Sequence, residues 1–161
     1  MLRRFIGVVG IGALGLLGLG AVWLYGMRRK DSIVVRTQRR VNRAVFNPEQ
    51  MKTAGQPGAY AAIVRHTGRT SGRAYETPVG AVPTQDGFAI ALVYGSQTDW
   101  LKNVLASGTA TVVHDGTAYS THSPQVVPTA TAAHHFPASE QRNLRLFRIE
   151  QCLLLRRADA D

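Results

Sequence analysis

Residues 5–25 contain no charged position, and only well after this run do apolar and polar residues begin to alternate. A helix over that run is about 30 Å long at ~1.5 Å per residue, the thickness of a bilayer core. Trp23 and Tyr25 stand at its far end, where interfacial aromatics belong. The pattern predicts an N-terminal transmembrane helix. A secretory signal peptide is the rival reading, but its apolar region is shorter and ends in a small-residue cleavage site. This run leads straight into Met27-Arg28-Arg29-Lys30. Over 31–53, Ile33, Val34, Val41, Val45 and Phe46 mix with arginines at helical intervals, which predicts one helix or two short ones. Such a segment could lie on a membrane surface or cap the open end of a barrel.

Gln56-Pro57-Gly58 marks a boundary, and beyond it the period shortens. Strands are expected near 59–66, 73–83, 87–94, 109–114, 117–122 and 150–156, with turns at Gln85-Asp86-Gly87 and Asp115-Gly116. Thr98 or Asp99 can cap a short helix that Gly108 closes, with apolar pairs Trp100/Val104 and Leu101/Leu105. Pro124, Pro128 and Pro137 punctuate the stretch 123–149, which predicts helices at 129–136 and 138–147 forming one wall of a pocket. Short strands with an inserted helix give a mainly β, α+β fold, a barrel of about six strands. The organisation expected is an anchor with basic flanks at 1–30, a basic helical segment at 31–56 and a barrel domain at 57–161.

Charge sharpens that division. Up to residue 56, 10 Lys+Arg against 2 Asp+Glu leave +8, whereas 9 against 8 from residue 57 leave +1. The basic excess therefore sits beside the apolar run, where it suits anionic lipid headgroups, and the absence of zinc-finger or RNA-binding motifs argues against nucleic acid. Only Arg3 and Arg4 precede the run and seven cations follow within about twenty residues, so the positive-inside rule places the C-terminal domain in the cytoplasm of a single-pass cell-membrane protein. Cys152 is the only cysteine, which excludes an intrachain disulfide.

Candidate chemistry converges on two stretches. The first, Arg65 to Val79, connects two strands and carries Gly68 and Gly72, the hydroxyls of Thr67, Thr70 and Ser71, and arginines at 65, 69 and 73. A tight turn with free N–H groups and guanidinium forks receives phosphate or carboxylate, although basic, glycine-rich hairpins also serve solubility alone. The second, Tyr94 to Gly108, brings a Gly-Ser turn to a helix N-terminus, another anion-friendly arrangement, in which Trp100 serves either a cleft or the core. A metal site is not expected. His134 and His135 are adjacent and diverge on a helix, and His114 and His122 flank a turn with no cysteine or carboxylate cluster nearby. There is no Gly-x-Ser-x-Gly elbow and no Gly-x-Gly-x-x-Gly loop.

Together, His66-Thr67-Gly68-Arg69-x-Ser71-Gly72-Arg73 leading to Thr77-Pro78-Val79, followed by a strand, a Gly/Ser turn and Trp100-x-x-Asn103, resemble the deazaflavin-dependent nitroreductase and quinone-reductase family. The resemblance covers roughly residues 42–157. It implies a split β-barrel of the FMN-binding type, a reduced 8-hydroxy-5-deazaflavin cofactor, and hydride transfer to a quinone, nitro compound or similar conjugated acceptor. Some members of the wider superfamily use FMN, and others are non-catalytic carriers of fatty acids or cofactors. By position, Arg69 and Arg73 would hold the anionic tail, Ser71 and Gly72 would offer turn contacts, and Val79 would line the ring. Ser96 would meet the phosphate or ring edge, with Trp100, Lys102 and Asn103 on the helix side. Tyr94 would donate a proton to the reduced acceptor. A membrane-tethered reductase of a lipophilic quinone is the leading expectation. A carrier on the same barrel and a purely structural membrane protein are its rivals, and a homodimer is left open.

Overall fold

The computed structural model describes residues 20–29, 32–41 and 50–158. Its seven strands are β1 (Ala62–Thr67), β2 (Ala74–Val79), β3 (Ala81–Pro83), β4 (Gly87–Ala91), β5 (Thr109–His114), β6 (Thr117–Pro128) and β7 (Gln151–Arg157). They form one antiparallel sheet in the order β2-β1-β5-β6-β7-β4-β3. Only Gly80 separates β2 from β3, yet these two strands are the opposite edges of the sheet. Two Cα–Cα steps cover at most about 7 Å. The sheet must therefore curl until its edges meet at Gly80, and it is a half-barrel split along the rest of that seam.

The expectation of six strands is corrected to seven for this reason. The stretch 73–83, read as one strand, breaks at Gly80 and its halves join different edges. The sixth strand also runs further than 117–122. A bulge between His122 and Gln125, with Ser123 at φ 51°, bends it and lets pairing with β7 continue to Pro128.

Side chains alternate across this sheet with period two. Phe88 and Ile90 on β4, and Leu153 and Leu155 on β7, point into the barrel, where they meet Val64, Val112, Leu101 and Val104. Leu101 and Val104 belong to α3 (Asp99–Ser107), which plugs the open side of the curl. The alternate residues Ala89 and Cys152 face outward into a second cluster with Ala132, Phe136, Leu144 and Ile149. These come from α4 (Thr129–Ala132), a 3-10 turn (Ala133–His135), α5 (Ala138–Leu146) and the connection to β7. Burial of a large aliphatic or aromatic side chain contributes about 1.5–3 kcal/mol, so the two clusters on either face of β4 and β7 hold the sheet in its curled form.

At the N-terminal end, α1 covers residues 20–29 and α2 is Ser32–Val41. The Trp23 indole N–H donates to Gln38 Oε1 at 2.9 Å, and its ring meets the Phe147 ring edge-on at 6.0 Å. The membrane span expected over 5–25, and the single-pass cell-membrane localisation drawn from it, are not upheld. Among the described residues no helix is long and apolar enough to cross a membrane. Residues 1–19, most of that expected span, lie outside the described residues, as does 42–49 of the expected helical segment 31–53.

At Gly87 β4 leaves no room for a side chain against β7, because a Cβ there would run into the Leu155 carbonyl oxygen. Backbone cannot yield as a flexible side chain does. Gly87→Ala is expected to destabilise the fold by about 1–3 kcal/mol, as overpacking does, measured as a lower urea midpoint with an unchanged m value.

Candidate functional site

The turn between β1 and β2 is closed by its own backbone. The Gly68 N–H donates to the Arg73 carbonyl at 2.8 Å, the Gly72 N–H donates to the Gly68 carbonyl at 2.8 Å, and Gly72 adopts φ 65°. Tyr75 folds back over this turn. Its ring stacks on His66 with centroids 5.8 Å apart, and its hydroxyl lies 3.2 Å from Ser71 Oγ. A side chain at residue 68 would strike the Tyr75 ring, so the glycine there is a matter of space.

The opposite wall is α3. Thr98 precedes it at φ −74° and ψ 143°, and Gly108 ends it in the left-handed region with its N–H donating to the Val104 carbonyl. Leu101 and Val104 face the core while Leu105, 42% exposed, does not complete the expected Leu101/Leu105 stripe.

Asn103 joins the two walls. Its Oδ1 accepts from the Arg69 backbone N–H at 3.1 Å and from Arg69 Nη1 at 2.9 Å. With two donors already on its oxygen, the amide must present Nδ2 to His66 Nδ1, 3.2 Å away. His66 Nδ1 is therefore the bare nitrogen, and Nε2–H donates to Thr77 Oγ1 at 3.1 Å. Burial pushes the His66 pKa below its ordinary 6.5, which agrees with a neutral ring between an amide donor and a hydroxyl acceptor. Arg69 also reaches Asp99, Nη2 to Oδ1 at 3.3 Å, with the carboxylate side chain 76% exposed. That outer ion pair is screened by water and is worth little beside the amide link.

Between these walls lies a cleft of about 860 Å³. It is lined on the turn side by Arg69, Ser71 and Tyr75, on the seam by Pro78, Val79 and Gly80, and on the far side by Tyr94, Thr98, Trp100 and Asn103. Gln50 and Met51 reach its rim, and Tyr60 stands beside Gly80.

Of the residues singled out from the sequence, Arg69, Ser71, Val79, Tyr94, Trp100 and Asn103 line this cleft. Gly72, Arg73, Ser96 and Lys102 do not. Gly72 and Arg73 occupy the outer end of the turn, Ser96 lies in the loop before α3, and Lys102 falls on a different face of the helix from Trp100 and Asn103. Arg65 leaves the anion-binding set as well, because it pairs across the strands with Glu76 at 2.8 Å. Sequence reasoning missed Thr98, Thr77 and Tyr75 as cleft residues. For Tyr75 the available signal was strand alternation, which puts it beside His66. Among the described residues no group of three or more His, Cys, Asp or Glu side chains could hold a metal ion.

No family model and no curated protein matches the chain. Among solved structures it is similar to one described as an F420-H2 dependent reductase (FDR-A), with 17% identity, a TM-score of 0.47, and coverage of 60% of this chain and 93% of that one. It is also similar to a structure described as a domain-swapped dimer, with 16% identity, a TM-score of 0.46, and coverage of 78% and 97% respectively.

The depressed His66 value gives stability a pH dependence of known sign. Above about 6.5 the ring is neutral folded and unfolded, and the network contributes fully. Below it the unfolded chain takes up a proton that the folded chain resists, so stability falls as pH falls toward the folded value. The unfolding free energy of the wild type should decline from pH 7.5 to pH 5. His66→Gln should flatten part of that slope, and His135, whose pKa is lowered by desolvation and by His134, contributes in the same direction.

Proposed function

We propose that this chain is a deazaflavin-dependent reductase acting on a quinone, nitro compound or similar conjugated acceptor. The observation that carries this reading is the meeting of the arginine turn and the tryptophan helix across one cleft, with donors along one wall and apolar side chains on the other. Pockets for planar cofactors combine apolar walls with a few converging polar groups, in volumes of about 300–1,000 Å³. Pro78, Val79 and Trp100 supply apolar faces, and the turn supplies the Arg69 guanidinium and the Ser71 hydroxyl. These features fit a tricyclic ring with an anionic tail.

In this reading Val79 and Trp100 hold the ring and keep water from it, while Arg69 and Ser71 receive the first charged group beyond it. Arg73 has no ion-pair partner among the described residues, and it meets the tail where the tail leaves the cleft. When bound, the reduced cofactor supplies the hydride. Tyr94 lines the cleft half-buried, and in this reading its phenol hands a proton to an oxygen of the reduced acceptor. Asn103 has a further role besides the contact expected of it. Both ends of its amide are engaged by Arg69 and His66, so it sets the spacing of the walls.

Fluorescence titration of the full-length protein with oxidised deazaflavin tests the reading. Saturable quenching is expected, weakened about 3–10-fold by Arg73→Ala, with thermal stability unmoved because that guanidinium is exposed, and with an effect that shrinks at high salt. No saturable binding, together with a co-purifying fatty acid, would instead make the barrel a carrier.

Tyr94→Phe separates binding from chemistry. Deazaflavin affinity should be unchanged while kcat falls about 10²-fold or more if the phenol is the proton donor. An unchanged kcat assigns the proton to solvent.

A further inference from the structure

Tyr60 is 75% exposed, and it lines the cleft with its hydroxyl 3.4 Å from where a Cβ on Gly80 would stand. An aromatic face left bare to water on the wall of a cleft gains by stacking on another ring. The register of β1 with β2 fixes where along the cleft this happens. Thr67 pairs with Ala74 beside the arginine turn, and Ala62 pairs with Val79 at the other end of the hairpin, five steps or about 17 Å away. Tyr60 and Gly80 lie just past that second pair. The cleft therefore has two unlike ends, a cationic one at Arg69 and an aromatic one at Tyr60, where Ala61 and Met51 add apolar surface. Charge separates them further. Desolvation at its hydroxyl pushes the Tyr60 pKa above the ordinary 10.0, and the nearby Glu140 carboxylate adds to the rise. An acidic group thus stands at the aromatic end, opposite in sign to Arg69.

We infer that Tyr60 determines acceptor binding: a neutral aromatic acceptor of the quinone class stacks on its ring at the end of the cleft formed by Gly80, Ala61 and Met51. The inference rests on the redox reading above and assigns the acceptor side of it to particular residues. Gly80 follows Val79 in the chain, so a ring stacked on Tyr60 is the neighbour of one resting on Val79, and transfer between two bound molecules demands that adjacency. An anionic tail is drawn to the far end by Arg69, whereas Glu140 turns anions away from this one.

The test uses the full-length protein with Tyr60→Leu, which removes the ring, and Tyr60→Phe, which keeps it. Three quantities are read: the Kd for oxidised deazaflavin, the Kd for 2-methyl-1,4-naphthoquinone by equilibrium dialysis against protein saturated with oxidised deazaflavin, and the Tm. The leucine variant should bind the naphthoquinone about 3–10-fold more weakly, and the phenylalanine variant should stay within about twofold of the wild type. Deazaflavin Kd and Tm should hold in both, because the side chain is exposed. Glu140→Gln should tighten binding of 1,4-naphthoquinone-2-sulfonate about 2–5-fold at low salt and leave the uncharged quinone unaffected. If the leucine variant binds the naphthoquinone as the wild type does while the wild type binds deazaflavin, the redox reading stands and this inference is overturned. A deazaflavin Kd that rises at unchanged naphthoquinone affinity gives Tyr60 to the cofactor and overturns it too, as do equal losses in the leucine and phenylalanine variants, which would implicate the hydroxyl. A sulfonate affinity indifferent to Glu140→Gln overturns the choice of a neutral ligand. A wild type that binds no deazaflavin overturns both readings.

Discussion

A single side-chain amide ties the two halves of this site together. Asn103 stands on a helix whose other residues, Leu101 and Val104, are fixed in the barrel core, so its position is set by packing rather than by the turn it touches. Its oxygen gathers two donors from Arg69, which leaves its nitrogen facing His66. The orientation of one group thus determines the tautomer of the next, and the imidazole passes the constraint to Thr77 on the neighbouring strand. Each of these bonds is modest alone, about 0.5–1.5 kcal/mol. Together they connect a helix, a turn and two strands that are distant in sequence. The width of the cleft is inherited from the core through this chain of contacts.

The fold places that chain where a ligand can use it. A curled sheet whose edges meet only at Gly80 leaves a gap along the remaining seam, and α3 fills the inner part of that gap with apolar side chains. What is left open is the cleft. Its apolar walls come from residues at the edge of the sheet, and its polar wall comes from the turn that the amide holds in place. Site and architecture are therefore one arrangement: closing the sheet fully would remove the pocket, and opening it further would separate Val79 from Trp100.

Much of this was legible in the chain because it is local. Gly108 does end α3 with positive φ, Asp115 and Gly116 do turn β5 into β6, and the two candidate stretches do share a cleft. What escaped depends on partners far away in sequence. Gly80 looks like any glycine within a strand until the opposite edge positions of β2 and β3 are known. Ser123 and Pro124 look like the end of a strand, because the bulge that carries β6 past them needs β7 beside it. That Asn103 joins Arg69 to His66 is also invisible locally, because nothing near it in sequence reveals which residues meet the two ends of its amide. Thr98 reads as an ordinary cap, and only the geometry shows its hydroxyl capping nothing.

The two rims of the seam have one more property in common. Each carries a proline, Pro78 on β2 and Pro83 on β3. A proline has no N–H to offer an incoming chain, so an exposed border that bears one is a poor template for strand addition. An unclosed sheet ordinarily invites aggregation at its margins. Here the margins are blunted at the level of the backbone, and the molecule can keep its groove open to small visitors while discouraging the extended peptides that would otherwise seal it.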